Sequence, residues 1–106
     1  MTDAKEAGGV ENVVAVVIPC YKVGHRVLEV IAAIGPEVHQ VYVVDDACPE
    51  QSWKLVQDEC SDPRVRIIRN PVNQGVGGAV LAGYAAAIAS GAKVIVKIDG
   101  DGQMDP

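Results

Sequence analysis

The chain alternates short apolar runs rich in valine and isoleucine with longer segments whose apolar residues recur at helical spacing. Such β-branched runs are typical of strands buried on both faces of a sheet, and the segments between them are typical of helices. The predicted strands cover residues 13–18, 41–44, 65–68 and 94–98, and the predicted helices cover 27–34, 52–60 and 76–90. Strands that alternate with helices are joined by right-handed crossovers and form a parallel sheet, so we expect a three-layer, Rossmann-like α/β domain.

The composition fits one soluble domain. With 106 residues, 49% of them apolar and none of them Phe, the chain can bury a core of Val, Ile, Leu and Ala. The net charge is -5 and the basic residues form no stripe, which argues against nucleic acid as a partner. Three cysteines without C-x-x-C spacing indicate reduced thiols. With no signal-peptide pattern and no apolar run of the roughly 18 residues that span a bilayer, we expect a cytoplasmic protein.

Acidic side chains follow two of the predicted strands. Asp45 and Asp46 come after the second strand, and Asp99 and Asp101 come after the fourth. Because all strands of a parallel sheet end at the same edge, where open α/β folds bind ligands, we expect these carboxylates to gather there. Gathered carboxylates repel one another unless a cation or a donor-rich ligand lies among them.

The sequence after the fourth strand suggests a metal site. Asp99 and Asp101 are separated by one glycine and can share a divalent cation, with Gln103 as a further oxygen ligand. A solvated turn is the alternative, because Asp and Gly are common turn residues. A calcium loop of the EF-hand type is excluded, since Met104 stands at the glycine position and no closing Glu follows before Pro106. The expected ion is Mn²⁺ or Mg²⁺, shared with the oxygens of a diphosphate.

The glycine-rich segment 73–79 allows three interpretations. It could be a dinucleotide-binding fingerprint, although Val80 stands at the third glycine position and the segment follows the third strand rather than the first. Its glycines and the alanines after them could form a thin helix that packs closely on the sheet. The free N–H groups at the start of that helix, near Gly75, could also favour a nearby phosphate.

Residues after the first strand could form a flat pocket. Pro19 and Tyr21 would be its walls, and Asp45 or Asp46 would accept a hydrogen bond from a nucleobase N–H. In the alternative interpretation, Pro19 only ends the strand and Tyr21 covers the edge of the sheet.

Four motifs occur in order along the chain: V-V-I-P-C-Y, V-V-D-D-A-C-P, N-Q-G-V-G-G-A-V-x-x-G-Y and K-I-D-G-D-G-Q-M-D-P. Together they resemble the family 2 inverting glycosyltransferases of the GT-A fold, and within that family the polyprenyl (dolichol) phosphate mannosyltransferase group. The resemblance covers residues 13–106 and implies the nucleotide-binding half of a GT-A domain, with sheet order 3-2-1-4, after a flexible segment 1–12.

The resemblance also implies roles for single residues. Pro19 and Tyr21 would flank the base, and Asp45 or Asp46 would bind it. Asp99 would lie near the ribose and the metal, and Asp101 would hold the metal on the donor diphosphate together with Gln103. The donor would be GDP-mannose or a UDP-hexose. Two departures concern the donor: Lys22-Val23 replaces the usual Asn-Glu, and Ala47-Cys48 replaces the usual Gly/Asp-Ser.

Members of the resembled family continue into a half that binds the acceptor and supplies the catalytic base. We therefore expect no catalytic residue in this chain and weak nucleotide binding with little or no turnover. A polyprenyl phosphate acceptor and membrane association are expected only in a complete enzyme. The fourth strand would be a bare sheet edge, which favours a homo-oligomer. A non-catalytic oligomerising half-domain and a dinucleotide-binding oxidoreductase fragment remain the alternatives.

Overall fold

The structure is a computed structural model, and it describes residues 13–101. Four strands and three helices alternate along this part of the chain. In order they are β1 (Val14–Cys20), α1 (Arg26–Ala32), β2 (Gln40–Asp46), α2 (Ser52–Glu59), β3 (Val65–Asn70), α3 (Gly75–Ala89) and β4 (Val94–Lys97). Segment 1–12, expected to be flexible, and residues 102–106 lie outside the described residues.

The four strands form one parallel sheet in the order β3-β2-β1-β4, which confirms the predicted order 3-2-1-4. All four strands therefore end at the same edge of the sheet, as parallel pairing requires. The order brings the end of β4 beside the end of β1, although more than seventy residues separate them in the sequence.

Strand β1 runs through Pro19 to Cys20, two residues beyond its predicted end. The Val17 carbonyl accepts a hydrogen bond from the Ile98 N–H (3.0 Å), so the backbone groups of Val17, and those of Pro19 two residues on, face β4. Strand β4 pairs with β1 only as far as Val17. Beyond Val17, β1 has no hydrogen-bonding partner in β4. The missing N–H of Pro19 therefore removes no hydrogen bond between the two strands, and β1 continues through the proline.

Strand β2 is also longer than predicted and includes both acids: Asp45 pairs with Arg69 and Asp46 with Asn70 on β3. As a result the two acidic side chains are nearly buried, with 2% and 3% of their surface exposed. Their carboxylates therefore need hydrogen-bond partners within the protein.

The core has two layers of apolar side chains, one on each face of the sheet. On one face, Val16, Ile18, Val41 and Val43 pack under α1 and α2. On the other face, the small residues of α3 pack against Ala15, Val17, Tyr42 and Val44. The buried core of the described residues consists of Val, Ile and Ala side chains with two Cys and one Tyr, and the sequence contains no Phe. Among the described residues, no helix is long and apolar enough to cross a membrane.

Candidate functional site

A cleft of about 500 Å³ opens at the carboxyl edge of the sheet, between the ends of β1 and β4 and the start of α3. Six residues predicted from the sequence line it together: Pro19, Tyr21, Asp46, Gly75, Asp99 and Asp101. Asp45 lines a neighbouring cavity instead, and Gln103 lies outside the described residues. Residues that are far apart in the sequence thus meet in one cleft, at the edge where open α/β sheets bind ligands.

Gly100 explains how two carboxylates reach the cleft from one short segment. It is buried beneath the end of β1, and a Cβ added to it would lie 3.0 Å from the Pro19 carbonyl oxygen and 3.2 Å from Cys20 Sγ. A side chain at this position would push the segment away from β1. Packing against the end of β1 therefore favours glycine between Asp99 and Asp101, which the sequence alone did not reveal.

Asp99 follows β4 and forms an ion pair with Lys97, with 3.0 Å between Lys97 Nζ and Asp99 Oδ1. Both side chains are more than a third exposed, so the pair is solvated and is worth little to stability. An exposed pair of this kind can open when a ligand competes for the carboxylate.

Asp46 organises the loop that precedes α3. Its Oδ1 accepts hydrogen bonds from Asn70 Nδ2 (2.9 Å) and from the Gln74 N–H (2.8 Å), and its carbonyl oxygen accepts one from Asn73 Nδ2 (3.1 Å). A carboxylate at the start of a helix is also favoured by the positive end of the helix dipole. Among the described residues, the two hydrogen bonds to this carboxylate both end on Oδ1, which makes Oδ2 the candidate acceptor for a ligand in the cleft.

Asp45 has a different structural role, although it is adjacent to Asp46 in the sequence. Its Oδ1 accepts a hydrogen bond from the Cys48 N–H (2.7 Å), and its Oδ2 accepts one from the Trp53 N–H (2.8 Å). The second bond satisfies one of the free N–H groups in the first turn of α2. The structure thus separates two acids that the sequence left equivalent: Asp46 lines the cleft, and Asp45 holds the start of a helix.

The wall formed by Tyr21 is open to solvent, with 46% of its surface exposed. Lys22 Nζ lies 5.5 Å from the centre of its ring. Asn73, Val76 and Ala79 also line the cleft; all three lie within the glycine-rich segment 73–79, but sequence reasoning assigned none of them a role of its own. Asn73 also accepts the Gly75 N–H at 2.9 Å, so one N–H at the start of α3 is already bonded within the protein.

Cys20 lies at the base of the cleft with 1% of its surface exposed, and its Sγ donates a weak hydrogen bond to the Ile18 carbonyl. Burial, with a further contribution from the nearby Asp45 carboxylate, raises the pKa of this thiol to about 12. Cys20 is therefore neutral at physiological pH and contributes packing rather than charge to the cleft.

The cleft contains two carboxylates that could be ligands of a divalent cation. Within residues 13–101, no group of three or more His, Cys, Asp or Glu side chains could hold a metal ion. Asp99 and Asp101 supply oxygen ligands of the kind that Mg²⁺ prefers. Mg²⁺ is commonly bound by one or two carboxylates together with substrate phosphates, so this donor set suits a cation that arrives with a phosphorylated ligand.

Comparison with solved structures supports the fold. The crystal structure of residues 1–349 of S. aureus TarS matches 84% of this chain with a TM-score of 0.60 and 18% identity, and the match covers 27% of that protein. At this level of identity the likeness establishes the GT-A arrangement of the sheet and helices.

Two curated relatives are polyprenyl-phosphate mannosyltransferases. The chain is 30% identical to the dolichol-phosphate mannosyltransferase of Pyrococcus furiosus over 97 residues, which covers 88% of this chain and 27% of the relative. It is 34% identical to the undecaprenyl-phosphate mannosyltransferase of Micrococcus luteus over 67 residues, which covers 62% of this chain and 28% of the relative. The chain thus spans about a quarter of the length of these relatives.

The sequence profile of Glycosyl transferase family 2 matches residues 15–106, a range that contains all the residues of the cleft. The chain therefore belongs to glycosyltransferase family 2.

Proposed function

We propose that the cleft binds a nucleoside-diphosphate sugar and that the chain is the donor-binding part of an inverting glycosyltransferase. The observation that carries this proposal is the meeting of Tyr21, Asp46, Asp99 and Asp101 in one cleft of about 500 Å³. The aromatic wall and the buried acceptor suit the base and ribose of a nucleoside. The pair of carboxylates suits a metal-bound diphosphate. Membership of a transferase family argues against a dinucleotide-dependent oxidoreductase.

In this proposal, Pro19 and Tyr21 stack against the nucleobase and Asp46 accepts a base N–H through Oδ2. Asp45 is a weaker candidate for that role, because both of its oxygens already accept hydrogen bonds. The start of α3 near Gly75 lies beside the diphosphate.

Asp99 and Asp101, together with Gln103, would hold Mn²⁺ or Mg²⁺. When bound, the ion would neutralise the charge that develops on the leaving nucleoside diphosphate. The Lys97 ammonium, which lies 3.0 Å from Asp99 Oδ1, would then be near the same phosphates. The acceptor, a sugar hydroxyl or a polyprenyl phosphate, would attack the anomeric carbon from the opposite side with inversion.

We further propose that the chain, which spans about a quarter of its relatives' length, binds the donor without turnover. The location would be the cytoplasm, in line with three free cysteines, and a complete enzyme would reach the membrane through its lipid acceptor.

β4 is an edge strand with Val94 and Val96 each more than 40% exposed, so a second copy could pair with it. Sedimentation as a monomer at high concentration would contradict that pairing.

The test is an NMR titration of the isotopically labelled chain with GDP-mannose and UDP-glucose, with and without Mg²⁺. We expect Mg²⁺-dependent shifts at Tyr21, Asp46, Asp99 and Asp101, and the nucleotide that binds more tightly identifies the base. Asp101→Ala should weaken binding about tenfold or more in Mg²⁺, by analogy with the loss of a metal-site group.

Asp58→Ala is the matched control, because Asp58 is an exposed acid on α2 whose partner is Lys54. It removes one negative charge without touching the cleft and should leave the affinity unchanged. A well-dispersed spectrum that responds to neither nucleotide would refute the proposed function. Equal weakening by the two substitutions would show that net charge, rather than a metal site, governs binding.

A further inference from the structure

Cys48 occupies an unusual position for a cysteine, two residues after Asp46 in the loop between β2 and α2. Only 6% of its surface is exposed. Its sulfur accepts a hydrogen bond from the Lys22 N–H at 3.1 Å and one from Ser52 Oγ at 3.4 Å. The sulfur therefore acts as an acceptor at the centre of a small set of donors.

The ionisation of Cys48 agrees with this environment. Burial would raise its pKa, but hydrogen bonds from the Ser52 hydroxyl and from the backbone of Lys22, Glu50 and Ser52 hold the pKa below its usual value. These donors favour the negatively charged sulfur, which is the better acceptor.

The bond to Lys22 joins the loop after β1, which contributes Tyr21 to the cleft, to the loop after β2, which follows Asp46. The Lys22 N–H belongs to the same peptide group as the Tyr21 carbonyl, so the bond fixes the direction in which the main chain leaves Tyr21. At its other end, Cys48 is bonded through its own N–H to Asp45, which adjoins Asp46. The aromatic wall and the buried acid are thus connected through one sulfur atom.

Both loops contain a residue in a left-handed conformation. Lys22 and Ala47 each have φ +58°, a region that residues other than glycine seldom adopt. Such residues persist where the surroundings hold them. The bond from Lys22 to Cys48, the neighbour of Ala47, is a direct hydrogen bond between the two turns.

We propose that Cys48 is a positioning residue of the donor cleft, which holds the turn at Tyr21 against the loop between β2 and α2 by accepting the Lys22 N–H. This inference rests on the proposed function of the cleft. It predicts that an acceptor at position 48, rather than a side chain of a given size, sets the affinity for the nucleotide.

The test compares Cys48→Ala, Cys48→Ser and Cys60→Ala by NMR. The alanine removes the acceptor, the serine supplies an oxygen acceptor in its place, and Cys60→Ala removes a thiol from the far end of α2. We expect Cys48→Ala to speed hydrogen exchange of the Lys22 amide about tenfold and to weaken nucleotide binding about fivefold, the effect of one lost hydrogen bond. Cys48→Ser should restore both values to within about twofold, and Cys60→Ala should change neither.

Two measurements separate this inference from the proposed function. The exchange rate of the Lys22 amide is measured without nucleotide and reports the bond itself. Wild-type affinity in Cys48→Ala, or a Cys48→Ser variant as weak as Cys48→Ala, would overturn the positioning role while the cleft still binds nucleotide. A wild-type chain that binds no nucleotide would refute the proposed function and this inference with it, whatever the exchange rate.

Discussion

The close packing of α3 on the sheet gives a sharp test of the fold. Gly83 is buried in the middle of α3, and a Cβ added to it would overlap Val17 Cγ1 and lie 3.0 Å from Val17 Cγ2 and 3.2 Å from Val17 Cβ. Rotation about χ1 of Val17 moves its two methyl groups but leaves Cβ in place at 3.2 Å, so it does not fully relieve the contact. The helix must therefore move away from β1 when Gly83 is replaced by alanine.

The expected magnitude is the balance of two effects. Alanine is favoured over glycine inside a helix by about 1 kcal/mol. Overpacking a well-packed core typically costs about 1–3 kcal/mol, and contact with three atoms of a central strand places this case near the upper end. Gly83→Ala should therefore lower the free energy of unfolding by about 2 kcal/mol, a fall in Tm on the order of 10 °C for a domain of this size.

Gly77→Ala is the matched control, because Gly77 lies in the first turns of the same helix and a Cβ there would meet nothing within 4 Å. It should keep the gain in helix propensity alone and raise the free energy of unfolding by up to about 1 kcal/mol. Urea titration followed by circular dichroism measures both variants. If Gly83→Ala is as stable as Gly77→Ala, the close approach of α3 to Val17 is refuted. Partial recovery in the double variant Val17→Ala/Gly83→Ala would identify Val17 as the colliding residue.

Two further predictions concern stability away from the cleft. The Arg64 guanidinium donates to the carbonyls that follow α1, including Gly35 O at 2.7 Å, and forms an ion pair with Asp62, so Arg64→Ala should lower the free energy of unfolding by about 2 kcal/mol in the same urea assay. Arg64→Lys should restore only part of the lost free energy of unfolding, because an ammonium cannot reach all these acceptors at once. Full restoration would show that the positive charge alone stabilises this region. Burial raises the pKa of Cys20 to about 12 from 9.0 in the unfolded chain, so the neutral thiol stabilises the fold fully below pH 9 and the contribution is lost as pH rises toward 12. Between about pH 8 and about pH 10.5, wild type should lose about 2 kcal/mol more stability than Cys20→Ala, and parallel pH profiles would contradict the raised pKa.

Most of the fold could be predicted from the sequence because its signals are local. Runs such as 41–44 and 94–98 are too short and too β-branched for helices, and the helical patterns between them require parallel crossovers. The ends of the elements were less accurate, because they depend on neighbours in space. Pro19 stays inside β1 only because β4 ends beside Val17.

In the candidate site, too, some features could be predicted from the sequence and others depend on neighbours in space. Parallel topology alone predicted that acids after two strands would meet at one edge, and Asp46, Asp99 and Asp101 do line one cleft. Which of the two adjacent acids faces that cleft was not predictable. Successive residues of a strand point to opposite faces, and which face each acid takes depends on the elements packed there.

The sequence by itself determined the class of the fold, the order of its elements and the residue types available at the sheet edge, because periodicity and crossover handedness are properties of short segments. Only the tertiary structure decided how those residues are used. The Trp53 N–H of the next element, α2, assigns Asp45 to a helix start, and the Lys22 N–H, 26 residues away in the sequence, makes Cys48 the link between two loops. Hydrogen-bond partners and close contacts depend on distances of a few tenths of an ångström between such elements, and no local pattern encodes those distances.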